Sequence, residues 1–306
     1  MWSRSSGETI TKFMPSLSLA WTVLRELVTT ERSARVPEPD LVMDDPDKVA
    51  AYTRAGREDG VMAPVYLFHC AQICEVVRPG DIVIDLGCGP ATQLAMVARL
   101  NPRCRFIGID LSPDMLVRAR AHVAEQGLDN VSFIEGSVTG LSALEEHSVD
   151  AVMSTVALHH LPDVSDLEAV FSEIRRVLRP GGGVYLVDFG HLKAEKSIQS
   201  FAYQYADRQP ELFTLDYLYS LRAAFDLADF KRLAKQYLQG QVKVHSTFLM
   251  PYMVAVKSSR RAERHDDAVI NQLHALRDAL PSHHKRDLTD LRTFFRLGGL
   301  PSPLLG

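Results

Sequence analysis

Paired cysteines and a strong excess of one charge are both missing from this sequence, and each absence excludes a class of protein. The 306-residue chain has four cysteines without C-x-x-C spacing, so we expect buried thiols and no metal site, zinc in particular. Its net charge is −4, from 34 basic and 38 acidic residues. This balance gives no electrostatic reason to expect nucleic acid or an anionic membrane as a partner.

Long hydrophobic runs are also absent. The apolar stretch Phe13–Leu24 contains Pro15, lacks an A-x-A cleavage site and is too short to span a bilayer. We therefore expect an amphipathic helix that packs on the domain, no association with a membrane, and a cytoplasmic location.

Strand-like and helix-like segments alternate in the middle of the chain, which is typical of a parallel sheet covered by helices. Turn-forming sequences (NPR, QGLDN and RPGGG) mark the returns from helix to strand. The predicted strands are Ile82–Leu86, Arg105–Asp110, Val131–Glu135, Val149–Ser154 and Val184–Phe189, and the predicted helices between them are Pro90–Leu100, Pro113–Gln126 and Leu167–Leu178.

Two further strands end the sheet, at Gln241–Leu249 and Tyr252–Ser258. Their connection is very short, whereas parallel strands need a long crossover, so we expect an antiparallel hairpin. The N-terminal region is mostly helical in pattern, with a proline-rich break at VPEPD. The predicted organisation is a helical N-terminal extension or cap (1–60), a sheet domain (61–258) with a helical lid insertion after the fifth strand (about 192–225), and a helical C-terminal extension (259–306).

A glycine-rich turn follows the first strand in the sequence VIDLGCGPA. Such turns usually hold nucleotides, but a dinucleotide site needs a third glycine, and Thr92 stands in its place. The Asp85 carboxylate would also oppose a pyrophosphate. S-adenosylmethionine fits better, because it carries an α-ammonium and a sulfonium and has no phosphate. Glycines let the backbone approach such a ligand closely.

The sequence FIGIDLSPDML places Asp110 at the carboxyl end of the second strand. This is about the spacing at which a carboxylate meets a ribose diol in nucleotide-binding folds. Asp110 therefore adds to the evidence from Asp85, the glycine turn and the predicted hairpin. Together they favour S-adenosylmethionine as the ligand.

These motifs resemble those of the class I S-adenosylmethionine-dependent methyltransferase family, of the small-molecule type. The resemblance covers about Tyr52 to Ser258, with VIDLGCGPA, FIGIDLSPDML, FIEGSV, SVDAVMSTVALHHLPD and LRPGGGVYLVDF in order. It implies an α/β fold with a Rossmann-like, seven-stranded, mostly parallel sheet of order 3-2-1-4-5-7-6, in which strand 7 is antiparallel. It also implies S-adenosyl-L-methionine as cofactor and S-adenosyl-L-homocysteine as product.

The resemblance implies roles for individual residues. Asp85 and the turn glycines would position the methionine end, and Asp110 the ribose. The family often has glycine where Ala91 stands, and an acid that contacts adenine where Ser137 stands, so we expect a weaker adenine contact here. Tyr52 would lie over the cofactor or be an exposed helix tyrosine. The predicted cofactor-binding residues are Asp85, Gly87, Cys88, Gly89, Asp110, Leu111, Met115, Gly136, Ser137, Val138, Ser154, Thr155 and Tyr52.

Three histidines are candidate catalytic residues. His159 and His160 follow the fourth strand, where the sheet order reverses and ligands bind in open α/β sheets. One of them could be a general base or orient the acceptor, or both could form the cleft wall. His191 follows the fifth strand with Asp188, which could instead cap the next helix. A base is not essential, because positioning alone accelerates such a transfer.

Aromatic residues are dense after the fifth strand. We predict that Phe189, Phe201, Tyr205 and Tyr217 line the acceptor pocket, with one or two rings facing the sulfonium. The alternative is a helical lid whose rings simply pack on the sheet.

The predicted function is direct in-line methyl transfer to a small or medium organic acceptor. The sequence lacks the Asn/Asp-Pro-Pro-aromatic motif of nucleic-acid amino methyltransferases and the cysteine set of arsenic methyltransferases. The acceptor atom stays open among oxygen, nitrogen, carbon and sulfur. Alternatives are a protein or RNA methyltransferase, a nicotinamide-dependent oxidoreductase, and a silent methyltransferase-like subunit that binds a partner protein. The helical extensions are candidate surfaces for a homo-oligomer.

Overall fold

The computed structural model of the chain describes residues 17–39, 60–261 and 267–306. A seven-stranded sheet forms the centre, and helices cover it. None of the helices in these ranges has the length and apolar character needed to cross a membrane. The strands are β1 Ile82–Leu86, β2 Arg105–Asp110, β3 Val131–Glu135, β4 Val149–Thr155, β5 Leu178–Phe189, β6 Val242–Ser246 and β7 Met253–Ser258.

Ten α-helices are described in these ranges, with short 3-10 turns at Leu158–His160 and Pro303–Leu305. Helices between successive parallel strands are the expected crossovers of such a sheet. The helices are α1 Leu17–Val28, α2 Ala63–Cys74, α3 Thr92–Leu100, α4 Pro113–Glu125, α5 Val164–Val177, α6 Glu195–Ala202, α7 Glu211–Ala223, α8 Leu227–Tyr237, α9 Asp267–Ala279 and α10 Ser282–Leu297.

The strand order is β3-β2-β1-β4-β5-β7-β6, which confirms the predicted topology. Strands β1 to β5 run parallel, and β7 pairs antiparallel with both β5 and β6. The central strands β1, β4 and β5 are buried over almost continuous apolar runs, as expected for strands covered on both faces. Because Phe189 pairs with Met253, the start of β7 lies beside the end of β5.

Strand β5 is longer than predicted, because it begins at Leu178 and includes the RPGGG sequence predicted as a turn. Leu178 pairs with Val149, and the register then jumps so that Gly183 pairs with Ala151. The residues between bulge out of the ladder, as the positive φ of 72° at Gly181 reflects. A Cβ at Gly183 would lie 2.1 Å from the carbonyl oxygen of Val76, so the bulge packs tightly on the segment after α2.

Of the N-terminal region predicted to be mostly helical, the structure describes residues 17–39. Helix α1 forms and contacts α6, and residues 29–39, here called the strap, contain no helix. Pro37 and Pro39 lie in the predicted VPEPD break, and proline lacks an N–H donor and disfavours helix at the preceding residue. The strap uses its backbone elsewhere: Ser33 N donates to Lys193 O at 2.9 Å, and Val36 N donates to Arg222 O at 3.0 Å.

The C-terminal helices pack against α2. Phe295 of α10 stacks on Phe68, with ring centroids 5.0 Å apart, and also meets the edge of His69. His69 is fully buried, and its Nδ1 lies 2.7 Å from the hydroxyl of Tyr185 on β5. Burial in this apolar layer lowers the pKa of His69 from 6.5 to about 3.

We expect His69 to make folding stability depend on pH. The unfolded chain takes up a proton below about pH 6.5, whereas folded His69 does so only near pH 3, so stability falls as the pH drops through this window. Between pH 7.5 and pH 5 the loss from this group is about 2 kcal/mol. Urea unfolding of His69→Gln at both pH values should show that much less pH dependence. His283→Gln, at an exposed site, should keep the wild-type dependence; equal slopes in all three proteins would contradict the assignment.

Candidate functional site

The candidate site lies where the sheet order reverses, at the carboxyl ends of β1 and β4. The loop after β4 packs directly on the glycine turn after β1: a Cβ added at Gly87 would lie 2.6 Å from the Cβ of Ala157. Val156, just before it, has a φ of 52°, which is unusual for a β-branched residue and marks the sharp exit from β4. Crevices at this point of an open α/β sheet are the usual ligand sites.

The glycine turn is fixed by hydrogen bonds to the end of β2. The amides of Gly87 and Cys88 donate to the carbonyl oxygen of Ile109 at 2.8 and 3.0 Å. Gly87 and Gly89 have φ values of 70° and 51°, a region that favours glycine. A Cβ at Gly89 would meet no atom within 4 Å, so this side of the turn faces open space. Ala91 ends the turn at a φ of 62°, which explains why α3 begins at Thr92 rather than at Pro90.

Asp110 joins the glycine turn to the start of α4. Its Oδ2 accepts a hydrogen bond from Gly89 N at 2.7 Å, and its Oδ1 accepts one from Ser112 N at 2.9 Å. Ser112 caps α4 by accepting from Met115 N at 3.2 Å. Each carboxylate oxygen keeps acceptor capacity for a further donor, so Asp110 can accept from two neighbouring hydroxyl groups of a ligand.

The residues after Asp110 differ in exposure. Leu111 is 42% exposed, whereas Met115 is buried at 6%. Met115 therefore supports the wall from behind, and Leu111 offers an apolar surface to a bound molecule.

Asp85 is almost fully buried, with 2% of its surface exposed. Burial, and then the nearby negative charge of Asp110, raise the pKa of Asp85 well above its usual range. Burial, followed by the charges of both acids, also raises the pKa of the Cys88 thiol. A cationic ligand group placed here would favour the ionised form of Asp85.

The turn after β3 lies beside Asp110, whose carbonyl oxygen accepts from Gly136 N at 2.9 Å. The Ser137 hydroxyl takes part in a local turn, because it accepts from Thr139 N at 3.2 Å and lies 2.7 Å from the Thr139 hydroxyl. Val138 is half-buried beside it. A ligand that reaches this turn therefore meets a hydroxyl that already has partners.

The two polar residues at the end of β4 differ in whether their hydroxyl groups can bond a ligand. Ser154 is fully buried and donates to the carbonyl oxygen of Leu86 at 2.8 Å, so it joins β4 to β1. The Thr155 hydroxyl is buried and has no hydrogen-bond partner within the described ranges. Thr155, rather than Ser154, has a polar side-chain atom to offer. Tyr52, the remaining predicted cofactor residue, lies outside the described residues.

Two histidines and two acids form a cluster beside the glycine turn. His159 Nδ1 lies 2.7 Å from Asp188 Oδ1, and His159 N donates to Asp188 Oδ2 at 3.0 Å. His159 Nε2 lies 3.6 Å from Glu38 Oε1, and His160 Nδ1 lies 2.8 Å from Glu38 Oε2. Asp188 therefore orients His159 through two hydrogen bonds and does not cap the next helix, whose N-cap is Ala194.

Glu38 arrives from the strap, more than a hundred positions away in the sequence. The Ser220 hydroxyl donates to its Oε1 at 2.8 Å. Burial alone would raise the pKa of Glu38, but the hydrogen bond from His160 and the charges of both histidines lower it to about 2. Burial likewise opposes a charge on His160, yet Glu38 raises the pKa of that imidazole.

Arg35 fixes the strap over this cluster. Its guanidinium donates to four carbonyl oxygens, at 2.6 to 3.1 Å, and lies 3.9 Å above the ring centroid of Phe225. His191 also contacts the strap, since its Nε2 lies 2.8 Å from Ser33 O. The structure thus separates His191 from the other two candidate histidines. The four carbonyl oxygens are those of His159, Leu161, Pro162 and Ala223.

The predicted pocket aromatics lie around a residue that the sequence reasoning missed, Tyr252. Phe201 stacks on Tyr252 at 4.1 Å, and Tyr217 shares a hydrogen bond with the Tyr252 hydroxyl. Phe189 lies 5.4 Å from Tyr217 and 5.4 Å from His159, which connects the aromatic group to the histidines. Burial raises the pKa of Tyr205, Tyr217 and Tyr252, the last to about 12, so all three phenols stay neutral at physiological pH.

Sequence reasoning missed Glu38, Arg35, Ser220 and Tyr252. A signal existed for Tyr252, because the antiparallel hairpin places the residue before β7 at the end of β5. No local pattern pointed to the strap, since beyond Thr29 its backbone hydrogen bonds join it to distant segments.

Comparison with known proteins finds similarity to methyltransferases. Residues 83–182 match the family model described as a methyltransferase domain. An arsenite methyltransferase of Halobacterium salinarum is 36% identical over 37% of this chain and 28% of its own length. A ubiquinone biosynthesis O-methyltransferase of Xanthomonas campestris is 28% identical over 71% of this chain and 89% of its own. The chain spans less than half the length of several curated relatives it matches, from 28% to 42%.

A solved structure supports the fold. The crystal structure of a SAM dependent methyltransferase from Aquifex aeolicus superposes with a TM-score of 0.50, covering 72% of this chain and all of the other. Since only 16% of the residues are identical, this similarity concerns the fold.

The two turn glycines should respond differently to alanine. Both substitutions force alanine into a left-handed conformation, which costs about 1–2 kcal/mol, but only at Gly87 does the new methyl group collide with Ala157. Gly87→Ala should therefore lower the free energy of unfolding by about 1–3 kcal/mol more than Gly89→Ala. Denaturant unfolding of the two variants measures this difference. Equal losses would show that the two loops are not in contact.

Proposed function

We propose that this chain is a class I S-adenosylmethionine-dependent methyltransferase that transfers the methyl group of its cofactor to a small organic acceptor, supported by the match of residues 83–182 to a methyltransferase domain. The observation that carries the proposal is Asp110: both carboxylate oxygens are fixed by backbone amides beside an open glycine turn. A diol on a ligand would find this acceptor preorganised, which lowers the cost of binding.

The cofactor would extend along the ends of β1, β2 and β3. Asp85 would meet the methionine ammonium, Asp110 the ribose hydroxyls, and Leu111 the adenine ring. Support comes from the buried carboxyl of Asp85, the two fixed oxygens of Asp110 and the exposed apolar surface of Leu111. The adenine edge would meet the turn at Ser137 through its backbone, because that hydroxyl already interacts with Thr139.

The acceptor would approach from the side of β4 and β5. Its nucleophilic atom attacks the methyl carbon from behind, and the carbon–sulfur bond breaks to leave neutral S-adenosylhomocysteine. Because the sulfonium charge disappears in the transition state, a dry and preorganised pocket favours the reaction. Phe189, Tyr217 and Tyr252 supply apolar walls, and the proposed lid of residues 192–225 includes α6 and α7.

A small acceptor is supported by the strap and by the relatives. Arg35 of the strap donates to backbone carbonyls both in the loop after β4 and at the end of α7, so the strap lies across this side of the site. The two curated relatives carry names that refer to arsenite and to ubiquinone biosynthesis, which have in common only that they concern small molecules. The described residues of the site do not select either of these two kinds of acceptor.

We expect the purified, ligand-stripped protein to bind S-adenosylmethionine and not NAD in calorimetry. Asp110→Ala should weaken binding at least about tenfold, equivalent to about 1.4 kcal/mol, because it removes the acceptor of the ribose hydroxyls. Asp129→Ala, at an exposed aspartate in the turn before β3, serves as the matched control and should bind normally. Binding of NAD alone, or equal affinity in both variants, would overturn the cofactor assignment.

Cofactor binding should release a proton from Asp85. The ligand ammonium favours the ionised carboxylate, whereas burial raises the pKa of Asp85 and favours the protonated acid in the free protein, so affinity should rise as the pH increases toward that raised pKa. Calorimetry at one pH in two buffers with different ionisation enthalpies measures the release. Asp85→Asn should remove the buffer dependence. The same heat in both buffers with the wild-type protein would argue against this role.

Methyl transfer itself is tested with labelled S-adenosylmethionine and a fractionated pool of small metabolites. We expect label in low-mass products, and none with Asp110→Ala. Cofactor binding without transfer to any small molecule, together with label in protein or RNA, would refute the small-acceptor assignment.

A further inference from the structure

We propose that Glu38, His159 and His160 bind one divalent transition-metal ion at the acceptor side of the cleft. The three residues offer two imidazole nitrogens and a carboxylate oxygen, and these ligand atoms all lie within 4.8 Å of one another. They are the one such group among the described residues. This proposal replaces the expectation of no metal site, which rested on cysteine spacing.

The orientation of His159 brings a ring nitrogen to the carboxylate of Glu38. Its Nδ1 lies 2.7 Å from Asp188 Oδ1, which fixes the ring so that the opposite nitrogen, Nε2, faces Glu38 Oε1 at 3.6 Å. This separation is longer than a normal hydrogen bond, so an ion between the two atoms could contact both of them.

The separation of these atoms fits a metal ion. Ligand atoms about 2.0–2.2 Å from a tetrahedral ion lie about 3.4 Å apart, close to the observed distance from His159 Nε2 to Glu38 Oε1. His160 Nδ1 is closer, at 2.8 Å from Glu38 Oε2, so the His160 side chain must shift by about half an ångström. Two imidazoles and one carboxylate are a ligand set of catalytic zinc sites, which leave a fourth position open.

Asp188 and Ser220 hydrogen-bond to the proposed ligands and hold them in position, as neighbouring residues do in known kinds of metal site. A histidine that binds a metal usually donates its other ring N–H to a carboxylate, and Asp188 accepts that hydrogen from His159. Ser220 donates to Glu38 Oε1 at 2.8 Å and so limits the rotation of this carboxylate. His159 and Asp188 are almost fully buried, whereas the His160 side chain is 28% exposed, which gives an ion a path of entry.

The surrounding charges also favour a cation. Asp216 adds a third negative charge near His160, beside Glu38 and Asp188. Among the described residues, Arg35 also faces the cluster, but its donors are directed at backbone carbonyls rather than at Glu38. Three carboxylates and one guanidinium thus surround the two imidazoles, so an ion that replaces the protons on these rings meets a net negative environment.

The ion would hold the acceptor. This role rests on the proposed methyl transfer: an oxygen or sulfur atom of the acceptor would occupy the open fourth position, beside Phe189, which lies 5.4 Å from His159. Metal binding itself does not depend on that function and can be tested without S-adenosylmethionine.

The test is a titration of the chelator-treated full-length protein with Co²⁺, followed by visible absorption and then by competition with Zn²⁺. We expect about one equivalent to bind, with the intense bands of four-coordinate cobalt. Glu38→Gln and His160→Gln should each weaken binding at least about tenfold. His283→Gln should not change it, because His283 lies beside the separate His284–Asp287 pair of α10. Unchanged binding in the first two variants, or loss in His283→Gln, would overturn the proposal.

A second measurement needs no substitution and so does not depend on how the variants fold. In nitrogen-detected NMR of the wild-type protein, Zn²⁺ should move the Nε2 resonance of His159 to the metal-bound range and leave its Nδ1 protonated. Absence of any shift up to millimolar Zn²⁺ would mean that a proton alone occupies the cluster, and the metal site would be refuted. If S-adenosylmethionine binding fails while Zn²⁺ binds, only the proposed function is lost.

Discussion

The carboxylate of Asp110 is the contact on which one half of the site depends, the half proposed to bind the cofactor. One oxygen fixes the glycine turn through Gly89, and the other fixes the start of α4 through Ser112. The turn in turn packs on the loop after β4 through Gly87 and Ala157, and that loop carries the histidines. One side chain therefore sets the relative position of β1, β2 and the residues that follow β4, and any ligand at this edge meets an arrangement already in place.

Much of this half could be predicted from the sequence, because its signals are local. The bounds of β1, β2 and β3 follow from short apolar runs that end in turn residues, and the hairpin follows from one short connection. The predicted starts of β5 and α3 were wrong, because backbone geometry rather than local sequence sets them. The RPGGG sequence continues as a bulged strand because Gly183 packs against Val76, and α3 starts late because Ala91 takes a left-handed conformation.

The other half, proposed to face the acceptor, could not be predicted in the same way, because its residues come from separate regions of the chain. His159 and His160 were identifiable from their position after β4, but their partner Glu38 lies in a segment with proline on both sides and no periodicity. A search for cysteine spacing could not detect a site made of imidazole and carboxylate. Tyr252 shows the intermediate case: the predicted hairpin implied its place, although its sequence surroundings did not.

The strap also bears on the order in which the two halves form. Its hydrogen bonds to residues such as Lys193 and Arg222 join positions more than 150 residues apart, whereas the glycine turn and Asp110 lie only 21 residues apart. Closing a longer loop costs more chain entropy, and contacts of high sequence separation slow folding. During synthesis the strap is made early. The residues that it binds, such as Lys193 and Arg222, are present only after the chain through α7 has been made. We therefore expect a nascent chain to complete its cofactor crevice first and to close its acceptor side last.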